Sequence, residues 1–137
     1  MIMKILSTIL LTLLIVLGAC TSPQVSPDPF VRVSNGRLTV NGKPYYYIGT
    51  NFWYGAILGS QGQGGNRERL LRELDYLKAL GINNLRVLVG ADGKDGIPTK
   101  AEPALQVEAG VYNDTIFDGL DFFLSELDKR DMYAVLF

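Results

Sequence analysis

The sequence predicts an α/β fold, the N-terminal part of a (β/α)8 TIM barrel that follows a β-hairpin and is truncated in its third strand. Strand-like apolar runs alternate with amphipathic helical segments along the chain. Connections after strands are long and those after helices are short, as in (β/α) barrels, whose active-site loops leave the carboxyl ends of strands. A doubly wound sheet is the alternative, but the Gly-x-Gly-x-x-Gly turn that directly opens a helix in such folds is missing.

The length limits how much of a barrel is present. A complete barrel needs eight strand and helix units and about 250 residues. The 137 residues hold two complete units and a third strand. Because an open three-stranded sheet leaves strand edges and apolar helix faces uncovered, we expect a truncated gene product or a partial sequence.

The first residues have the pattern of a bacterial export signal. Lys4 precedes a mainly apolar stretch from Ile5 to Leu17, which is shorter than the roughly 20 residues of a membrane-spanning helix. Leu17-Gly18-Ala19-Cys20 resembles a lipobox, where the signal peptidase for lipoproteins cuts before a cysteine that carries diacylglycerol. We expect residues 1–19 to be a signal peptide and Cys20 to be lipidated. An ordinary secretory signal with a coincidental cysteine is the alternative.

The residues from Cys20 onward predict a tether and a location. Residues 20–29 comprise this cysteine and a proline-rich flexible tether, so the folded part spans residues 30–137. Thr21 is not the aspartate that commonly retains such lipoproteins in the inner membrane. We therefore expect an extracytoplasmic protein of the cell envelope, anchored by lipid in the outer membrane or at the cell surface.

Composition argues against several classes of partner. Thirteen basic and fourteen acidic residues give a net charge of −1 without a large cluster of one sign, so electrostatics do not support nucleic-acid binding. The chain has no histidine and no carboxylate cluster at ligand spacing, so we expect no metal. No nucleotide or flavin is indicated, and no cofactor is expected.

A β-hairpin and a strand are predicted to open the domain. Arg37–Val40 and Lys43–Ile48 flank Asn41-Gly42, a dipeptide suited to a type I′ turn because both central residues need positive φ. Residues 45–51 are rich in aromatic and β-branched side chains and predict the first barrel strand. Residues 55–65 contain five glycines and predict a flexible loop rather than a helix.

The remaining segments predict two helices and two strands. Asn66 is a candidate N-cap for a helix that ends near Gly81, and residues 82–89 predict a strand buried on both faces. Residues 90–113 predict a long polar loop. The second helix and the third strand, residues 132–137, follow. The apolar residues at helical spacing are Leu70, Leu71, Leu74 and Leu77 in the first helix and Ile116, Phe117, Leu120, Phe123, Leu124 and Leu127 in the second.

Two strings carry a resemblance to a known family. Gly49-Thr50-Asn51-Phe52-Trp53-Tyr54 and Gly81-Ile82-Asn83-Asn84-Leu85-Arg86-Val87 resemble glycoside hydrolase family 5, most closely its endo-β-1,4-mannanases. The resemblance covers residues 30–137, including the hairpin that plugs the barrel bottom in that family. It implies hydrolysis with retention by two glutamates that follow the fourth and seventh strands. Neither glutamate lies in this sequence, so the chain alone is expected to be inactive.

The resemblance also implies roles for residues at the strand ends. Trp53 and Tyr54 would stack on a sugar ring, although a buried aromatic at the barrel top is the alternative. Asn51 would either hydrogen-bond within the site or simply end the strand. Arg86 would lie beside the nucleophilic glutamate and keep it ionised and oriented. A structural ion pair is the alternative for Arg86, since a buried guanidinium needs a carboxylate or carbonyls facing it.

Other residues that could suggest a site are interpreted as parts of loops. The carboxylates after the second strand are expected to be solvated, and none is assigned as catalytic. Gly62-x-Gly64 lacks a third glycine and lies far from the strand end, so it is not assigned to phosphate binding. The carboxylates concerned are Asp92, Asp95, Glu102 and Glu108.

The sequence leaves several hypotheses for function. The first is an exported, lipid-anchored retaining endo-glycosidase that hydrolyses β-1,4-mannan, with a mannan-type polysaccharide and the membrane as its partners. Another β-glycanase of the same family, such as a cellulase, is an alternative. A non-catalytic glycan-binding surface lipoprotein and an unrelated barrel enzyme are the others.

Overall fold

A computed structural model describes residues 28–98 and 100–137. The predicted signal peptide, Cys20 and most of the predicted tether lie outside the described residues. The chain divides after Tyr45 into two compact units, which are described separately. Within the described ranges, no helix has the length and apolar character needed to cross a membrane.

The first unit is a three-stranded antiparallel sheet. Its strands are β1 (Arg32–Ser34), β2 (Arg37–Val40) and β3 (Lys43–Pro44). Asn41 and Gly42 have φ values of 50° and 73°, which confirms the predicted type I′ hairpin between β2 and β3. The strand β1 was not predicted. It is joined to β2 by Asn35-Gly36, whose φ values of 49° and 72° form a second turn of the same kind.

The second unit contains a three-stranded parallel sheet in the order β4-β5-β8, and helices that follow its strands. An antiparallel pair, β6-β7, lies in the loop after β5. The elements in chain order are β4 (Gly49–Asn51), α1 (Gly55–Gly59), α2 (Arg67–Ala79), β5 (Asn84–Val87), β6 (Gln106–Glu108), β7 (Val111–Tyr112), α3 (Asp114–Asp128) and β8 (Tyr133–Leu136).

The core lies between the parallel sheet and the helices. Alternate residues of a strand point to opposite faces, so Leu85 and Val87 of β5 project toward α2 and α3 and are fully buried. Each buried aliphatic side chain contributes about 1.5–3 kcal/mol. Most of the predicted apolar residues of both helices pack there, but Phe117 is exposed. The residues in the core include Leu70, Leu74, Ile116, Leu120, Phe123 and Leu127.

Local signals fix the ends of the two long helices. The Asn66 side-chain oxygen accepts a hydrogen bond of 2.8 Å from the Arg69 N–H, which confirms Asn66 as the N-cap of α2. Asn113 caps α3 by accepting from the Thr115 N–H at 3.1 Å. Gly81 follows α2 with a φ of 81°, the left-handed conformation that ends many helices.

The prediction that residues 55–65 form a loop is wrong in its first part, where α1 is helical. The glycines there allow close packing of α1 on α3. A Cβ atom on Gly59 would lie 2.3 Å from the carbonyl oxygen of Gly119, and one on Gly119 would lie 2.2 Å from that of Ala56. These contacts explain why residues with low helix propensity lie in a helix.

Three other predictions about strands need correction. The first barrel strand is shorter than predicted and consists of Gly49–Asn51 alone. Residues 90–113 are not only loop, because β6 and β7 pair within them. The strand β5 is not buried on both faces as predicted, since Arg86 is exposed, and its register partner Val135 on β8 is exposed as well. The physical reason is that the helices of the described part cover only one side of the parallel sheet.

Candidate functional site

The face of the parallel sheet opposite the helices carries the candidate site. This open face is defined by Asn51, Arg86 and Val135, which are register partners on the three parallel strands. A depression of about 520 Å³ lies on it. The structure therefore brings together Asn51 and Arg86, two of the predicted site residues. The residues that line the depression are Tyr47, Gly49, Thr50, Asn51, Asn84, Arg86 and Val135.

Arg86 is held at the centre of the open face by two neighbours. Its Nη1 donates to Oδ1 of Asn51 at 3.4 Å, which is a long hydrogen bond. Its guanidinium carbon lies 3.4 Å from the centroid of the Phe137 ring, an arrangement that favours a cation–π interaction. These contacts orient the guanidinium and leave most of its five donors available.

The expectation of a buried Arg86 does not hold for the described residues. The glutamate that the resemblance places beside it is not a residue of this sequence, so that contact stays a prediction. The Arg86 side chain is exposed, and none of the ion pairs among residues 28–98 and 100–137 includes it. An exposed guanidinium remains hydrated and needs no buried partner. The open face therefore presents a fixed positive charge with donors in a fork, a group suited to a carboxylate or to sugar oxygens.

Trp53 and Tyr54 follow β4 at its carboxyl end but differ in their surroundings. Trp53 is 48% exposed, and its ring meets that of Tyr54 edge to face with centroids 5.5 Å apart. Tyr54 is half-buried and its hydroxyl donates to Oε2 of Glu73 at 2.9 Å. Neither residue lines the depression. Both remain predicted sugar contacts, and Trp53 offers the larger exposed surface.

The ionisation of Tyr54 reflects this environment. Burial raises the pKa of the Tyr54 phenol, and the hydrogen bond from the phenol to the Glu73 carboxylate raises it further. Tyr54 therefore keeps its proton through the neutral range and remains a donor to Glu73. Tyr54 and Glu73 also line a smaller depression of about 210 Å³ beside β4.

Two carboxylates of the loop after β5 bond within that loop. Oδ1 of Asp95 accepts from the Ala104 N–H at 2.9 Å and lies 3.7 Å from the Lys100 ammonium. Glu102 accepts from the Gly96 N–H at 2.5 Å. These contacts give the loop a defined shape. Among the residues that the structure describes, no group of three or more metal-ligating side chains could hold a metal ion.

Two neighbours of the predicted site were not foreseen from the sequence. Phe137 stacks on Arg86, and Glu73 of α2 bonds to Tyr54. Helical spacing places Glu73 on the polar face of α2, where a charge normally meets solvent. No sequence signal shows that this face lies beside a tyrosine nineteen positions earlier.

Comparison with known proteins identifies relatives of the chain. A family model described as "GH family 5 beta-mannosidase-like" matches residues 28–137. The chain is 33% identical to mannan endo-1,4-beta-mannosidase 1 of Oryza sativa subsp. japonica over 108 residues, which are 78% of this chain and 23% of that protein. It is 31% identical to mannan endo-1,4-beta-mannosidase 5 of Solanum lycopersicum over 108 residues, 78% of this chain and 24% of that protein.

Solved structures give a similar result. The glycoside hydrolase family 5 mannosidase from Rhizomucor miehei superposes with a TM-score of 0.74 and 36% identity, covering 79% of this chain and 27% of that one. A variant of that enzyme was solved in complex with mannosyl-fructose. The endo-1,4-beta-mannanase of the same fungus superposes with a TM-score of 0.58 and 21% identity, covering 78% of this chain and 29% of that one. At this identity the similarity shows the fold alone. The chain spans about a quarter of the length of these relatives, and the predicted fold class is confirmed.

Proposed function

The chain belongs to glycoside hydrolase family 5, and from that premise we propose that it is the N-terminal part of an exported hydrolase that cleaves β-mannosidic bonds with retention of configuration. The observation that carries the proposal is the pairing of Arg86 with Asn51 on the open face. The resemblance implies that an arginine at this position lies beside the nucleophilic glutamate. The residues that match the family model include both strings on which the resemblance rests.

The proposed contribution of this chain is electrostatic and positional. A retaining glycosidase uses one carboxylate as nucleophile and another as acid and base, about 5–5.5 Å apart. In the family that the chain resembles, both carboxylates follow later strands of the barrel. Neither is a residue of this sequence. The Arg86 guanidinium would keep the nucleophile ionised through its charge and orient it through its forked donors. Asn51 and Phe137 hold the guanidinium in place.

Trp53 is proposed to contact the sugar. An exposed indole at the carboxyl edge of the sheet can stack on the apolar face of a sugar ring while the ring hydroxyls bond elsewhere. Within the described part of the chain Trp53 is 48% exposed, so its ring is accessible from this edge. The proposed site therefore has two parts, which are the positive charge of Arg86 and the aromatic surface of Trp53.

The proposed substrate is β-1,4-mannan, cleaved internally. Support comes from relatives named as mannan endo-1,4-beta-mannosidases at 31–33% identity. Hydrolysis of short β-mannosides is the second candidate, because the mannosidase of Rhizomucor miehei is 36% identical whereas the mannanase of that fungus is 21% identical. The mannosyl-fructose complex of that mannosidase favours the same candidate.

We further propose that Cys20 carries the lipid anchor and that the protein faces outward from the cell envelope. This location suits an enzyme whose polymeric substrate cannot enter the cell. It rests on the apolar stretch and on Leu17-Gly18-Ala19-Cys20 in the sequence.

The test begins with the longest open reading frame that contains this sequence. We expect an Asn-Glu pair after a fourth strand and a second glutamate after a seventh. The expressed protein should release long fragments from mannan if it acts internally, and mainly mannose from short oligosaccharides if the second candidate is correct. Cellulose serves as the control polymer. Glycan binding without hydrolysis, in a protein that lacks both glutamates, would support the non-catalytic lipoprotein instead.

A further inference from the structure

Tyr54 is the aromatic neighbour of Trp53. The Trp53 indole is half exposed, and in the described part of the chain its ring contact is with Tyr54, at 5.5 Å between centroids and an interplanar angle of 83°. The exposed half of the indole leaves room for other rotamers, and the edge-to-face contact with Tyr54 favours one of them. Whatever fixes Tyr54 therefore limits the positions that the indole can occupy.

Tyr54 is fixed on three sides. Its ring packs on Phe52 with centroids 4.5 Å apart. The Arg69 guanidinium lies over the ring at 5.8 Å. The hydroxyl donates to Oε2 of Glu73 at 2.9 Å. With its hydroxyl and part of its ring surface engaged, Tyr54 has less surface to offer a ligand than Trp53 has.

Glu73 joins Tyr54 to a rigid helix. Its second oxygen, Oε1, accepts from Nε of Arg69 at 2.6 Å, so each carboxylate oxygen has its own donor. The helix that carries both charged residues is anchored by Leu70 and Leu74, which are fully buried. The position of Glu73 is therefore set by the packed core.

We infer that Glu73 is a positioning residue that acts through Tyr54 to hold the indole of Trp53 in one orientation at the carboxyl edge of the sheet. The inference rests on the proposed function only in treating Trp53 as a sugar contact. A preorganised aromatic group loses less rotational freedom when a ligand binds. Glu73 itself does not contact the substrate.

Fluorescence provides a direct test in the protein from the longest reading frame. Trp53 is the only tryptophan among the 137 residues, and any tryptophan elsewhere in that protein is replaced by phenylalanine. Time-resolved anisotropy measures the fraction of the indole fluorescence that is depolarised by fast local motion. In Glu73→Ala the population of reoriented indole should rise about two- to tenfold, the range that one net hydrogen bond carries. Tyr54→Phe should have a similar effect. Glu73→Gln should restore much of the restriction, since its amide oxygen can still accept from Tyr54.

Glu68→Ala is the matched control. Glu68 lies on the same helix and pairs with Arg72 at 2.5 Å, in the same i, i+4 relation as the Arg69–Glu73 pair. Both Glu68 and Arg72 are exposed. Removal of the Glu68 carboxylate should leave the anisotropy unchanged. Thermal unfolding of all variants separates loss of stability from loss of orientation. If Glu73→Ala lowered stability but the indole of the folded chain moved as in wild type, the inference would be wrong.

A second arm uses the protein from the longest reading frame. Glu73→Ala should raise KM for a manno-oligosaccharide about two- to tenfold with little change in kcat. An effect on kcat alone would contradict a positioning role in binding. If the protein hydrolysed no β-mannoside, the kinetic measurement could not be made, but the fluorescence result would still be valid. Failure of the proposed function and failure of this inference are therefore distinguishable.

Discussion

The Arg86 guanidinium lies on the open face of the parallel sheet between Asn51 and Phe137. The family resemblance implied a site role for Arg86, which stays a prediction, and its side chain lines the depression on the open face. Its expected burial followed from the apolar neighbours Leu85 and Val87, which do pack in the core. Strand alternation places Arg86 on the opposite face, so its neighbours in sequence say little about its own exposure.

Replacement of Arg86 by lysine tests its proposed role. Arg86→Lys keeps the positive charge but loses the fork that orients a carboxylate. Loss of one charge-assisted hydrogen bond in the transition state should lower kcat about 10- to 100-fold with a smaller change in KM. Steady-state kinetics of the complete enzyme on mannan measures both, and Arg72→Lys on the exposed side of α2 is the control. Wild-type kcat in a folded Arg86→Lys enzyme would remove Arg86 from the site.

Glu126 makes stability depend on pH. This carboxylate is buried at the end of α3 and pairs with Lys129 and Arg130 at 2.5 Å and 2.7 Å. The hydrogen bond from Lys129, followed by that from Arg130, lowers the pKa of Glu126 from its usual 4.5. A carboxyl group whose pKa is lower in the folded state stabilises the fold above its unfolded pKa, and this contribution disappears as pH falls through the folded value.

Glu126→Gln should therefore destabilise the chain at neutral pH by about 1 kcal/mol or more. The difference from wild type should shrink once the pH is below the folded pKa of Glu126. Urea unfolding at neutral pH and at acid pH measures both quantities. Glu68→Gln, at an exposed pair on α2, is the control. An equal destabilisation at both pH values would show that the carboxylate charge does not contribute.

At the scale of elements, helices were easier to predict than strands. The periodicity and caps of α2 and α3 are local, and both helices lie where the sequence placed them. Strand length depends on pairing partners far along the chain, so β4 is shorter than its aromatic and β-branched sequence suggested. The turn at Asn35-Gly36 carried the same signal as Asn41-Gly42 and could have been recognised.

The helix α1 was missed because its glycines have low helix propensity. Tertiary packing outweighs that propensity, since α1 and α3 approach so closely that neither Gly59 nor Gly119 has room for a Cβ atom. The sequence places these glycines sixty residues apart and contains no sign that they meet. Only the three-dimensional arrangement reveals the pair.

Gly119→Ala tests this contact. On helix propensity alone the change would stabilise α3 by about 1 kcal/mol. Because the new methyl group would lie 2.2 Å from the carbonyl oxygen of Ala56, we expect a loss of about 1–3 kcal/mol from overpacking instead. Thermal or urea unfolding followed by circular dichroism gives the sign. Asp121→Ala, exposed on the same helix, is the control, and an increase in stability with Gly119→Ala would contradict the packing argument.

At the scale of the whole molecule, the family could be identified from two short strings. Residues 49–54 and 81–87 carry the resemblance, and the family match over residues 28–137 confirms it. These strings include the ends of adjacent parallel strands, where the fold brings site residues together. The choice between internal cleavage and cleavage of short mannosides depends on the complete cleft, to which this chain contributes one part.

The proposed anchor is tested by Cys20→Ala. Without the thiol, no diacylglycerol can be attached, so the variant should lose lipid labelling and membrane retention in its native host. Metabolic labelling with a fatty acid analogue and fractionation of the cell envelope measure the two effects. Ser22→Ala, two residues along the predicted tether, is a suitable control. Unchanged labelling and fractionation in Cys20→Ala would refute the lipoprotein proposal.

Product stereochemistry tests the central claim, that this chain is the N-terminal part of a retaining β-mannoside hydrolase. The protein from the longest reading frame is incubated with a β-1,4-manno-oligosaccharide, and the anomeric protons are followed by NMR from the start of the reaction. Double displacement through a glycosyl-enzyme predicts that the β-anomer of the new reducing end appears first, before mutarotation produces the α-anomer. First appearance of the α-anomer, or no hydrolysis of any β-mannoside, would contradict the account.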